Sequence, residues 1–176
     1  MADAGCGPKD VGASDRRPLN VTAGEGEEVT PIGEAPVNGA VTDDESIYRR
    51  LSSSGPSMIC IDSLTGEERP TSGSFMPDDD GVSVYRFVTL EALGLTWRDV
   101  VKTRWNRVVE LEVSGVRAIT PLDVLSDSWP HGVDEPAHPR NAAHALITGW
   151  AGLSKNERHR RAQGLAQIAS FVANGA

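Results

Sequence analysis

An α+β fold, with a small mixed or mainly antiparallel sheet, an amphipathic middle helix and a C-terminal helix packed on it, follows from three features of this 176-residue sequence. Short β-branched and aromatic runs such as VSVYRFV are bounded by Gly and Pro turns. Two later stretches switch from a period of two to helical spacing. The strands come in runs rather than in strict alternation with helices, which argues against a doubly wound sheet.

The chain opens on a different kind of segment. Residues 1–43 hold three Lys/Arg against eight Asp/Glu, so −5 of the net −8 lies there, and they include no aromatic residue. Such a stretch buries too little apolar surface to offset its ordering entropy. A disordered acidic tail rich in Gly, Ala, Pro and Glu is therefore expected, followed by one α+β domain over residues 44–174. The start lacks the apolar centre of a secretory signal, and no run approaches the ~20 apolar residues of a membrane span. A soluble cytoplasmic protein with no membrane partner is the corresponding expectation. Cys6 and Cys60 are the two cysteines, too few for a disulfide framework or a Cys-based zinc site.

Within the domain, ESIYRRL alternates as a strand with at least one wet face, and SMICID reads as a second, short strand. Gly66 and Pro70 give SLTGEERP the chemistry of a hairpin turn. VSVYRFV is the clearest strand. In TWRDVVKTRW, Trp97, Val100, Val101 and Trp105 recur at helical spacing behind Thr96, which predicts the middle helix. RVVELEVSG alternates again as a strand that Gly115 ends, VRAIT reads as a further strand, and Pro121 suits the first position of a helix over PLDVLSDSW. AAHALITG returns as a strand. Ser154 and Glu157 form an S-x-x-E capping box before an apolar stripe through Ala162, Leu165, Ile168, Ala169 and Val172.

The chemistry-bearing residues fall into three groups. Arg69, Thr71, Ser72 and Ser74, joined by Arg49 or Arg50, combine guanidinium forks with hydroxyl donors and suit a phosphate or carboxylate. The same R-P-T-S-G-S composition also makes an ordinary turn whose hydroxyls satisfy local backbone groups. Strand register decides which of Arg49 and Arg50 points inward. In SKNERHRR, Arg158 and Arg161, with Lys155, His159 and Arg160, stand where the helix dipole favours an anion, or else form a solvated face. His131, Asp134, Glu135, His138 and His144 are ligand types whose spacing matches no metal motif, so no metal is expected. His144 is the candidate proton carrier, with a satisfied structural histidine as the alternative. The phosphate-loop, dinucleotide-binding and nucleophile-elbow motifs are missing, and no cofactor is expected.

YRRL, RPTSGSF, VSVYRF, GVRAIT and AAHALITGWAGLSKNERHRRA resemble, in this order, an uncharacterised family of small bacterial proteins. That family has an aromatic–Arg strand, R-x-[TS]-S-x-x-F, an S-V-Y strand and E-H-A-x-I before a basic final helix. The resemblance spans about residues 47–171 and picks out Arg49 or Arg50, Arg69, Thr71, Ser72, Phe75, Ser83, Val84 and His144. Ala143 stands where an acidic residue often precedes the histidine. The resemblance implies an arrangement and not a reaction.

Two function classes remain. One is a non-enzymatic accessory module acting through a protein partner. The other is a small nucleotide- or RNA-phosphate-binding domain or enzyme, with Arg50, Arg69, Thr71 and Ser72 clamping the anion and His144 moving a proton. The acidic composition argues against broad nucleic-acid binding but leaves room for a local basic patch. Oligomeric state is left open.

Overall fold

The computed structural model describes residues 39–52, 58–78, 81–127 and 138–172. The chain divides into two units, Met1–Pro31 and Ile32–Ala176, and every described residue belongs to the second.

Among the described residues eight strands and three α-helices follow one another: β1 Ser46–Leu51, β2 Ile59–Ile61, β3 Glu68–Pro70, β4 Val82–Arg86, α1 Phe87–Ala92, β5 Arg107–Glu112, α2 Val113–Arg117, β6 Asp123–Ser126, β7 His144–Thr148, α3 Lys155–Ile168 and β8 Ser170–Phe171. Six strands form an antiparallel sheet in the order β6-β7-β4-β1-β5-β8, and β2 and β3 form a separate hairpin. The expected α+β class, the strand at ESIYRRL and the capped C-terminal helix are all observed. Ser154 Oγ accepts from the Glu157 amide while the Glu157 carboxylate accepts from the Ser154 amide at 2.8 Å.

Alternation along the strands separates two faces. Ile47 and Leu51 of β1, Val82 and Val84 of β4, Val109 and Leu111 of β5, and Ala145 and Ile147 of β7 point to one side. There they meet Phe75, Val116 of α2, and Ala162 and Leu165 of α3. Tyr48 and Tyr85 point to the other side, where Leu90 of α1, Val100 and Ala143 complete a smaller core.

Several segments differ from the sequence reading, VRAIT among them, which is the end of α2 and the turn after it rather than a strand. Residues 39–43 belong to the packed structure, because Val41 is buried and the Gly39 carbonyl accepts from Arg86 Nη1 at 2.8 Å. The helix expected over residues 96–105 is a single 3-10 turn, Trp97–Val100, and the middle helix lies earlier as α1, ended by Gly94 at φ +67°. A longer helix would need the Asp99 and Val100 carbonyls for its next amides. Arg140 Nη1 donates to the first at 3.0 Å and Arg50 Nη1 to the second at 3.3 Å, and the chain turns out into a bridge between Lys102 and Trp105.

VSGVR is the short helix α2 rather than the end of a strand. The Glu45 and Asp43 carbonyls take its leading amides, Val113 and Ser114, each at 3.0 Å. Gly115 serves close packing, since a Cβ there would lie 3.2 Å from Ile168 Cδ1. DVLS, placed in a helix from Pro121, is strand β6, which completes the open edge of β7.

One ion pair holds the start of this arrangement. Arg86 Nε donates to Glu45 Oε1 at 2.8 Å and Nη2 to Oε2 at 3.0 Å, with both side chains at most 4% exposed. Removing one member leaves a buried charge without its counter-charge. Glu45→Ala should therefore lower the unfolding free energy by about 3–5 kcal/mol, measured by urea denaturation, and the double variant Glu45→Leu, Arg86→Met should recover part of it. Leu165→Ala, at the centre of the α3 contact, should cost about 2–5 kcal/mol; an unshifted midpoint would refute that packing.

Candidate functional site

The polar cluster flagged in the sequence divides. Ser74 is buried in a 3-10 turn, Ser72–Phe75, and its hydroxyl donates to the Met58 carbonyl. Thr71 precedes the turn, its amide bonded to the Met58 carbonyl at 2.9 Å and its carbonyl accepting from the Ser74 amide at 3.0 Å. These contacts are those of a turn tied to the hairpin. Register places Arg49 on the α3 side, donating to the Ser74 carbonyl at 3.2 Å and the Ser83 carbonyl at 2.8 Å. Burial brings its pKa down to about 10, with nearby Asp78 opposing the shift, so the guanidinium stays charged at neutral pH. Arg50 lies on the opposite face, its guanidinium 5.0 Å from the centroid of the Tyr85 ring.

Arg69 and Ser72 share one groove of about 590 Å³ between the β2–β3 hairpin and α3. His159, Gln163 and Gln167 of α3 line it with them. Arg69 is paired there with Asp62 at 3.2 Å. The helix cations Arg158 and Arg161 do not line this groove: Arg158 Nε donates to the Leu153 carbonyl at 3.2 Å, and Arg161 Nε is buried with no hydrogen-bond partner among the described residues.

His144 is not part of that groove either. It sits in β7 opposite Tyr85, with its ring edge-on to the tyrosine. Nδ1 lies 2.8 Å from the Asp127 carbonyl and 3.3 Å from Asp127 Oδ2. Because a carbonyl can only accept, Nδ1 carries the proton and Nε2 accepts from the Ser83 hydroxyl at 3.1 Å. Ala143 supplies no acid beside the histidine in sequence, and the fold supplies Asp127 instead. Ser83, His144 and Asp127 have the order of nucleophile, base and orienting acid. The same bonds satisfy both nitrogens of a buried imidazole, which accounts for the arrangement without a substrate. His131, Asp134 and Glu135 fall outside the described residues, and among those described no group of three metal-ligating side chains assembles.

Burial lowers the His144 pKa, and Asp127 opposes the shift only in part. With the folded value below the unfolded value of about 6.5, the unfolded chain takes up the proton first as pH falls. The contribution of His144 to stability is thus full above pH ~6.5 and lost as pH drops through the folded pKa. Chemical denaturation between pH 8 and pH 5 should show this decline, and His144→Asn should start less stable at pH 8 and decline less.

A more strongly charged site lies where the expected helix breaks. The Thr96 capping box sets the Trp97–Val100 turn, and the Arg98 guanidinium lies 4.8 Å from the centroid of the Trp97 ring. The Lys102–Trp105 bridge, with N···O distances of 3.1 and 2.8 Å, folds the next residues into a tight loop. His138 caps the turn Pro139–Ala143 through the Arg140 amide, and Arg140 in turn reaches the Asp99 carbonyl. Together these elements wall a groove of about 800 Å³ with Arg98, Lys102, Arg104, Arg140, His138 and Trp105, and among the described residues no carboxylate lines it. Sequence reading missed this site by assigning Trp97 and Trp105 to a buried helical stripe. The available signal was local charge: Trp97–Arg107 carries four cations and one acid in a chain of net charge −8.

Comparison with protein-family models, with curated proteins and with solved structures gives no match. Function is therefore argued from the groups of this chain alone. Among the described residues no helix is long and apolar enough to cross a membrane.

Proposed function

We propose that this protein is a binding module for a phosphate-bearing ligand, a nucleotide or an RNA phosphate, held in the groove of Arg98, Lys102, Arg104 and Arg140. The observation that carries the reading is the single sign of that lining among the described residues, on a chain that is acidic overall. Cations gathered in one groove raise the local concentration of anions, and arginine forks match phosphate oxygens two at a time. Half-buried Trp105 offers a flat face on which a base can stack. The polar cluster at Arg69 contributes to anion binding less directly, since Asp62 already faces its one guanidinium.

A thermal-shift series with pyrophosphate, mononucleotides and NAD tests the reading. A ligand at ~100 times its dissociation constant adds about 2.7 kcal/mol to stability, a readily visible rise in Tm. Arg104→Ala and Lys102→Ala should remove most of that rise, while Arg69→Ala should keep it. Full shifts in the first two variants, or none in the parent, would reject the site.

The accessory reading draws on a separate observation: in and beside the β2–β3 hairpin, Ile61 is 70% and Leu64 94% exposed. Large apolar side chains held this far into solvent favour a protein partner at the hairpin.

A further inference from the structure

The basic groove continues beyond Trp105. It shares Asn106 with a second hollow of about 330 Å³, walled by Glu67, Glu68, Trp97, Arg107 and Phe171 among others. That hollow shares Glu68 and Phe171 with the groove of Arg69, Ser72 and His159. The three thus adjoin in sequence, passing between β8 at the edge of the sheet and the β2–β3 hairpin.

We infer that these hollows form one trough for an extended single strand of nucleic acid, anchored at the Trp105 end. The inference rests on the phosphate-binding reading and extends it from one nucleotide to a run of them. A single strand needs cations at intervals for its backbone and flat faces for its bases. The trough has Arg98 and Arg104 at one end, Arg107 in the middle and Arg69 with His159 at the other, and Trp105, Trp97 and Phe171 occur along the same path. Asn106 and Gln163 add amide groups that can both donate to and accept from base edges.

Arg107 and Arg69 each face a carboxylate. Arg107 Nη2 lies 2.7 Å and 3.0 Å from the two Glu68 oxygens, and Arg69 Nε lies 3.2 Å from Asp62. Exposed pairs of this kind are weak, so a phosphate can exchange with the carboxylate. Glu68 then acts as a place-holder at the junction of two hollows. Its neutralisation should strengthen binding of a strand long enough to pass it and leave a mononucleotide unaffected. An acidic peptide would use the same cations but would gain nothing from the aromatic faces.

The test is fluorescence anisotropy on the full chain with labelled RNA and DNA single strands of about 4, 8 and 16 nucleotides, the range one small domain covers, beside a labelled mononucleotide. Affinity should rise with length, and the slope of log K against log salt should steepen by about 0.7 for each added phosphate contact. Arg69→Ala and His159→Ala should weaken only the longer strands, and Glu68→Gln should tighten them. Mononucleotide binding with no gain from length, or a gain indifferent to Arg69, His159 and Glu68, would overturn the trough and leave the local site standing. Failure of mononucleotide and strands alike would overturn both. Displacement of the long strand by polyglutamate at equal charge concentration would also overturn the trough, in favour of an acidic protein ligand.

Discussion

The buried pair of Arg86 and Glu45 is the constraint on which the first half of the sheet depends. Arg86 closes β4 opposite Ile47, and Glu45 stands immediately before β1, so their bidentate contact fixes both strand ends against each other. The remaining guanidinium hydrogen bonds reach the Gly39 and Ala40 carbonyls, and the Glu45 backbone carbonyl receives the first amide of α2. A charge this well buried tolerates no slippage, because a shift of one residue would strand it in an apolar core.

Fixed register decides the fate of two adjacent arginines. Arg49 points towards α3 and ties the Ser72–Phe75 turn to β4 through the Ser74 and Ser83 carbonyls. Arg50 points the opposite way, over Tyr85 and onto the Val100 carbonyl. The hydroxyls and arginines that look alike in sequence therefore serve different ends. Ser74 and Arg49 build the wall of the Arg69 groove without entering it, and Arg50 helps stop a helix on the far face.

That stopped helix links the fold to the proposed site. Arg50 and Arg140 occupy the carbonyls a continuing helix would use, and the residues from Val101 to Asn106 are turned outward as a basic loop. Local helical preference loses to two long-range, charge-assisted hydrogen bonds, each stronger than a neutral one. A conflict between local pattern and final structure is expected where a surface serves binding rather than stability. For the proposed phosphate ligand the net acidity of the chain would matter less than its distribution, since the ligand would respond to the field at the groove.

Much of the fold was legible because its signals are local. The alternation of ESIYRRL, VSVYR and RVVELE, the turn residues of the β2–β3 hairpin, and the Ser154–Glu157 capping box each act over a few residues, and all appear as expected. Four features depended on partners far along the chain: the packing of residues 39–43, the shortening of the 96–105 helix, the helix at α2 and the strand at β6. The site divides in the same way. Sequence determined which residues could hold an anion or carry a proton, because side-chain chemistry belongs to each residue alone. Tertiary structure decided that His144 meets Asp127 and Ser83, that Arg69 and His159 line one groove, and that Arg98, Arg104 and Arg140 share another, because only the register of paired strands and the end of a helix set which side chains come together.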